Sequence, residues 1–182
     1  MKKLLHQAQR LFREGKKQES IMAFTMAIEA GEATEIAFLS RGVAYLQTGQ
    51  INKAIDDFRT VIGMNDDNIR AHFYRGIAYM SKDDYKSAVR DFDKTIELKP
   101  DHGAAFFAKG SAYAQMGREE EASRNIKIAL ISSKTRKGIS DGFGAVGTHF
   151  NKALSMMTGR ERDFAAKLTK KEIAGLKKWL ED

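Results

Sequence analysis

The fold is indicated by a stretch in the middle of the chain, AHFYRGIAYMSKDDYKSAVRDF, residues 71–92. Its Gly76 is followed three residues later by a tyrosine and sixteen residues later by a phenylalanine, and this arrangement recurs at steps of 34 residues. The positions in phase are Ala8, Gly42, Gly76 and Gly110, then Leu11, Tyr45, Tyr79 and Tyr113, and finally Phe24, Phe58, Phe92 and Ile126. A fixed period of this length predicts stacked structural repeats, each in contact only with its neighbours.

Each recurring position has a physical role in a pair of helices. Apolar residues return at helical intervals, as at Ala54, Phe58 and Val61. The small residue lets two helices approach closely, and the large residue fills the gap beside it. Turns that need a left-handed residue are predicted at Gly15, Gly49 and Gly117. Asp83 and Asp84 take this role in the third copy. No stretch alternates as a strand does, so the chain is predicted to be all-α.

These columns resemble the tetratricopeptide repeat, a 34-residue helix–turn–helix unit. One copy in this sequence reads Ala71, Gly76, Tyr79, Ala88, Phe92, Ile96 and Pro100. Arg41, Arg75 and Lys109 depart from the pattern, because they stand where a leucine is common. The resemblance implies an α-α superhelix, a right-handed solenoid of four helix pairs with a C-terminal helical extension. The four units are expected at residues 1–34, 35–68, 69–102 and 103–134.

The rest of the chain does not resemble the repeat. Residues 135–147 are predicted to form a glycine-rich crossing, and residues 148–182 are predicted to form capping helices. The G-x-G-x-x-G motif at 142–147 follows no apolar strand, so we do not expect a dinucleotide site. A capping box at Thr169–Glu172 begins a helix that carries Trp179. Whether this helix caps the end of the solenoid or occupies its groove stays open.

The composition suits a single helical domain without a membrane span. The chain has 182 residues, 42% of them hydrophobic, and no apolar run near the roughly 20 residues that cross a bilayer. The absence of cysteine excludes disulfides and agrees with the cytoplasmic location that we expect. The net charge of +7 is concentrated in the C-terminal half, most visibly at Lys167, Lys170, Lys171, Lys177 and Lys178. Nucleic-acid or acidic-partner binding there is the alternative function, although acidic residues alternate with these lysines.

Residues suited to catalysis are scattered through the sequence. The histidines are His6, His72, His102 and His149. No two of them have the spacing of a helical metal site. His72 replaces a phenylalanine of the neighbouring copies, which favours a packed role, whereas His102 follows Pro100 in a turn and is expected to be exposed. We therefore expect no enzyme, no cofactor and no metal.

Function is expected on the concave side of the repeats. The resemblance implies that the first helix of each pair lines an inner groove. The groove-facing residues of this sequence are Leu5, Gln9, Ile36, Leu39, Val43, Leu46, Arg70, Phe73, Ile77, Met80, Phe107 and Ser111. Family members that grip acidic chaperone tails use a clamp of Lys, Asn and Arg on this side. Only one residue of this chain, Arg70, matches a residue of that clamp.

A groove lined by apolar residues predicts an interaction site. We expect a protein-binding scaffold or adaptor that holds an apolar peptide or an amphipathic helix, with anchors at i, i+3, i+4 and i+7. A second copy of the chain is another partner that could cover such a surface.

Overall fold

The computed structural model describes residues 3–132, which form eight α-helices. In chain order these are α1 (Lys3–Arg13), α2 (Lys17–Glu29), α3 (Glu35–Gln47), α4 (Ile51–Met64), α5 (Ile69–Met80), α6 (Tyr85–Leu98), α7 (Gly103–Gln115) and α8 (Glu119–Ser132). No strand occurs among these residues, and the all-α prediction is confirmed for them. The predicted crossing at 135–147 and the predicted capping helices at 148–182 lie outside the described residues.

Two compact units divide the chain, Met1–Lys82 and Asp83–Asp182. The first contains α1 to α5, and each of these helices packs against the next. Within it, α3 also approaches both α1 and α5, so the first helices of three successive pairs are neighbours. In the second unit, α7 packs against both α6 and α8. A candidate site on the first helices can therefore be built within the first unit.

The recurring small residues lie where two helices meet, as the sequence predicts. A Cβ atom added at Gly42 would lie 2.7 Å from Cε1 of Phe58, closer than side-chain carbons approach each other. In the second unit, the same addition at Gly110 would lie 2.8 Å from Cγ1 of Ile126. Each large partner follows its glycine by sixteen residues and is fully buried. The spacing in the sequence thus corresponds to one helix–helix contact, which occurs at Gly42 in the first unit and at Gly110 in the second.

The predicted turns are also confirmed. The backbone φ angles of Gly15, Gly49 and Gly117 are +75°, +76° and +73°. In the third copy, Asp83 adopts a φ of +58°, which aspartate tolerates better than most residues. The carboxylate of Asp84 accepts a hydrogen bond from the backbone N–H of Ser87 at 3.1 Å and caps α6.

Arg41, which replaces the common leucine, links three helices of the first unit. Its Nε and Nη2 atoms donate to the two carboxylate oxygens of Asp57 on α4, at 2.8 and 2.7 Å. Its Nη1 atom donates to the hydroxyl of Thr25 on α2 at 3.1 Å. The guanidinium also lies 5.5 Å from the ring centre of Phe38 and 5.6 Å from that of Tyr45. A charged residue in this column is therefore part of the packing between helices.

The electrostatics of this ion pair follow from its burial. The side chains of Arg41 and Asp57 are only 15% and 7% exposed. Burial raises the pKa of the Asp57 carboxyl, against the opposing effect of its hydrogen bonds from Arg41. Those same hydrogen bonds raise the pKa of Arg41 and keep it charged. The bidentate geometry offsets the cost of removing both charges from water, which makes each partner dependent on the other.

Two histidines have structural roles. His72 is buried, and its Nε2 atom is hydrogen-bonded to the carbonyl oxygen of Asp66 at 2.9 Å, so the packed role is confirmed. The expectation that His102 is exposed is wrong. Its side chain is half-buried, and its Nδ1 atom accepts a hydrogen bond from the backbone N–H of Ala105 at 3.1 Å, which caps α7. Burial lowers the pKa of His102, with a smaller contribution from Lys99, and favours the neutral ring that can accept this bond.

Candidate peptide-binding face

The candidate site lies on the first helices of the repeats in the first unit. Residues three and four apart share one side of a helix, so the predicted groove residues form one row on each of α1, α3 and α5. The members of this surface, called the apolar face below, are Leu5, Gln9, Ile36, Leu39, Val43, Leu46, Arg70, Phe73, Ile77 and Met80. α3 is a neighbour of both α1 and α5, so the three rows lie on adjacent helices.

Half of the apolar face consists of buried residues. Its buried members, called the floor below, are Val43, Leu46, Phe73, Ile77 and Met80, each at most 9% exposed. The spacing of these residues indicates which side of the helix they occupy, but it does not indicate how deeply they pack. A floor of this kind fixes the separation of the helices and shapes the surface above it.

The floor is tied to the interior through aromatic contacts. The Phe73 ring meets the Tyr74 ring edge to face at a centroid distance of 5.6 Å. Tyr74 in turn stacks on Phe58 of α4 at 6.0 Å. Since Phe58 also fills the space beside Gly42, one chain of contacts joins the floor to the α3–α4 contact. A charged substitution at Phe73 would therefore disturb folding, and binding to the face is better tested elsewhere.

The two most accessible members of the apolar face lie at the start of their helices. Ile36 is 55% exposed and begins the otherwise apolar row of α3. Arg70 is also exposed, whereas Leu5, Gln9 and Leu39 are partly exposed. A partner would meet these residues first and approach the floor from there.

A hydrogen-bonded link holds the beginnings of α3 and α5 together. The Glu35 carboxylate accepts hydrogen bonds from the side-chain amides of Asn68 and Asn65, at 2.9 and 3.3 Å. Asn68 also caps α5 by accepting from the backbone N–H of Ala71 at 3.0 Å. Glu35 immediately precedes Ile36, and Asn68 lies two residues before Arg70. The link therefore places the two exposed members of the face at the same end of it.

A similar contact fixes the start of α1. The backbone N–H of Leu5 donates to the Glu32 carboxylate at 3.1 Å, where a negative charge also complements the helix dipole. The sequence analysis missed both Glu32 and Glu35. The sequence pattern that could have identified them is weak, because an acidic residue near the start of a helix is common on any protein surface. Only the three-dimensional arrangement shows that Glu35 connects α3 to α5 and that Glu32 connects the loop between α2 and α3 to α1.

The two remaining predicted residues belong to the second unit. Phe107 and Ser111 lie on α7 and are both buried. The Ser111 hydroxyl donates to the carbonyl oxygen of Phe107 at 3.1 Å, a bond within the helix. Both residues contribute to the packing of this unit.

The described residues contain few groups suited to other chemistry. Within residues 3–132, no three His, Asp or Glu side chains are arranged to hold a metal ion. In the same part of the chain, no helix combines the length and the apolar character of a membrane span. The accessible groups of the apolar face are aliphatic side chains, one amide and one guanidinium. Such groups bind through apolar contact and a charge, and both are typical of protein recognition.

The described helices show the structural class of the protein, which is all-α and built from repeated helix pairs. Residues 37–68 and residues 69–102 each match a family model described as Tetratricopeptide repeat. The chain is a tetratricopeptide-repeat protein, as the sequence columns predict. Proteins built from this repeat are protein–protein interaction scaffolds, and the chain belongs to that broad functional class.

Solved structures of low sequence identity share the fold. A crystal structure of MamA is 19% identical, with a TM-score of 0.72, and the match covers 96% of this chain and 97% of that one. MamA 41-end from Desulfovibrio magneticus RS-1 is 15% identical with a TM-score of 0.69, over 98% and 92% of the two chains. TTC0263, a thermophilic TPR protein in Thermus thermophilus, is 16% identical with a TM-score of 0.62, over 95% and 97%. A comparison with curated protein sequences gave no match.

Proposed function

We propose that this protein is a non-enzymatic adaptor whose apolar face binds an apolar or amphipathic segment of a partner protein. The observation that carries the proposal is the exposure of Ile36 beside a buried apolar floor. Exposed aliphatic side chains are common singly, but here the side chain continues a row of apolar residues and stands at its accessible end. Covering Ile36 and Leu39 with a partner would remove apolar surface from water.

The chemistry of the face specifies the partner further. An amphipathic helix with apolar side chains at i, i+3, i+4 and i+7 would match the partly exposed leucines and Ile36. Arg70 lies at the same end of the face as Ile36 and would pair with a carboxylate of the bound segment. The hydrogen bonds of Glu35 and Glu32 hold the helix starts in place before binding, which reduces the entropy lost on association.

A synthetic peptide tests this proposal. The probe is an amphipathic helix with leucines at i, i+3, i+4 and i+7 and one glutamate beside them; the control is a scrambled peptide of the same composition. Methyl NMR spectra of the full chain are recorded with each peptide. We expect the Ile36 and Leu39 methyl signals to shift with the helical probe alone. The exposed Met22 on α2 serves as the internal control, and its signal should stay unchanged.

Salt separates this function from the alternative. The affinity of the apolar face for the helical probe should fall little with added salt. The affinity for phosphates falls steeply with salt, because that binding releases counterions. The lysines that motivated nucleic-acid or acidic-partner binding lie outside the described residues. Binding of the helical probe that disappears at moderate salt, with unchanged Ile36 signals, would contradict the proposal.

A further inference from the structure

Exposed basic residues form a stripe along one side of α1. They are Lys3, His6, Arg10 and Arg13. At about 100° per residue, these four positions fall within an arc of about 80°, opposite the fully buried Ala8. The first and last Cα atoms are about 15 Å apart along the helix axis. This set is called the basic stripe below.

The same side of the later first helices is a packing surface. The positions that correspond to Lys3 are Ala37, Ala71 and Ala105, and those that correspond to Arg10 are Ala44, Ala78 and Ala112. All six alanines are fully buried. The helices that carry them, α3, α5 and α7, each pack against the helix before them in the chain, α2, α4 or α6. On α1 the equivalent side carries long basic side chains in contact with solvent.

Solubility alone does not account for this composition. A helix side in contact with solvent needs polar residues, but it does not need residues of one sign. Arg10 and Arg13 are three apart, and like charges at this spacing repel each other. Lys3 stands in the first turn, where the helix dipole disfavours a positive charge. The Glu14 carboxylate compensates this positive charge only in part. One of its oxygens lies 3.7 Å from Nε of Arg10, and the other lies 3.1 Å from Nζ of Lys16.

We propose that the basic stripe binds an acidic segment of another protein. Guanidinium groups pair with carboxylates through two parallel hydrogen bonds, and two of the four stripe residues are arginines. Their spacing of three and four residues matches carboxylates at i, i+3 and i+7 on a facing helix. Around α1, Lys3 and Arg10 lie about 160° and about 140° from Leu5 of the apolar face, whereas His6 and Arg13 lie close to Gln9. An acidic segment held by Lys3 and Arg10 would therefore leave Leu5 accessible.

Other anionic partners fit the stripe less well. Single-stranded nucleic acid needs exposed aromatic rings for stacking, and the aromatic ring of α1, Phe12, packs edge to face on Phe24. Membrane insertion needs a free apolar side, but Leu5 and Leu11 pack against the core.

The test measures binding of a fluorescent polyglutamate peptide to the full chain. Neutralising Arg10→Gln and Arg13→Gln together should lower the affinity about tenfold at low salt, as expected for two charge-assisted contacts. The matched control neutralises the exposed Lys86→Gln and Arg90→Gln on α6, and it should change affinity less than about twofold. The charge-preserving pair Arg10→Lys and Arg13→Lys should give an intermediate loss, because lysine cannot form the bidentate contact.

Three outcomes would overturn the inference. One is an equal loss in the α6 control, which would mean that net charge alone determines binding. Another is tighter binding of a DNA oligonucleotide or of phosphatidylserine vesicles than of polyglutamate, which would assign the stripe to a different partner. The third is unchanged affinity in both glutamine variants. The amphipathic helix probe of the apolar face should bind all variants equally, so failure of one proposal leaves the other intact.

Discussion

The two sides of helix α3 differ in the amino-acid substitutions that they tolerate. On the side that faces α4, a single added carbon at Gly42 would collide with the Phe58 ring, and the Arg41–Asp57 ion pair is enclosed. About 120° around the helix from Gly42, Ile36 of the apolar face is more than half exposed. Stability and recognition are therefore separated around one helix, at positions only a few residues apart. Substitutions on each side should affect one property and leave the other nearly unchanged.

The largest expected effect is on the enclosed side, at the ion pair. Asp57→Ala leaves the buried Arg41 guanidinium without its carboxylate, and we expect a loss of about 3 kcal/mol in the free energy of unfolding. This lies at the low end for buried pairs, because Arg41 keeps some contact with water. Urea unfolding followed by circular dichroism measures it. The double variant Arg41→Leu, Asp57→Ala removes the unpaired charge and should recover most of the loss; no recovery would mean that the pair does not act as a unit.

A smaller loss is expected from the helix contact itself. Gly42→Leu overfills the space occupied by Phe58 and should cost about 1–3 kcal/mol of unfolding free energy. The matched control is Gly63→Ala on α4, where a Cβ atom meets nothing within 4 Å. Alanine there should raise stability by up to about 1 kcal/mol, since it favours helix more than glycine. Equal melting temperatures for the two variants would contradict the assignment of Gly42 to a close contact.

A pH effect should appear in the second unit. Only the neutral His102 ring accepts the bond that caps α7, and burial lowers its folded-state pKa below the usual value of about 6.5. The unfolded state then binds more protons in this range, so the stabilisation is complete above the unfolded pKa and is lost as pH falls through the folded pKa. We expect a loss of about 1 kcal/mol, typical of a helix cap.

The control for this effect is His102→Asn, which keeps a capping side chain that does not titrate. Urea midpoints at neutral and mildly acidic pH compare the two proteins. The wild type should lose more stability on acidification than the asparagine variant. Identical losses would show that the cap at His102 is not responsible.

The repeat columns predicted much of the fold, because each column corresponds to one local contact. Sequence spacing was enough to predict the contact of Gly42 with Phe58. Backbone sterics were enough to predict left-handed turns such as the one at Gly49. The role of Arg41 was not predicted, since its partners Asp57 and Thr25 lie on two other helices. Spacing alone cannot show which distant polar groups converge on a buried charge.

The candidate site was predicted less completely. The helical period assigned residues to the apolar face, but it did not distinguish the buried Phe73 from the exposed Ile36. That difference depends on the neighbouring helices, through contacts such as the one between Phe73 and Tyr74. The link from Glu35 to Asn68 also escaped detection, because the two residues are 33 positions apart.

The most direct test of the separation between stability and recognition is Ile36→Glu. The affinity of the amphipathic helix probe and the urea midpoint are measured on the same preparation, with Met22→Glu as an exposed apolar control on α2. We predict that Ile36→Glu lowers affinity at least about tenfold, or about 1.4 kcal/mol, while the urea midpoint and the Met22→Glu affinity stay close to wild type. Unchanged affinity in Ile36→Glu, or an equal loss in Met22→Glu, would contradict the assignment of recognition to the apolar face.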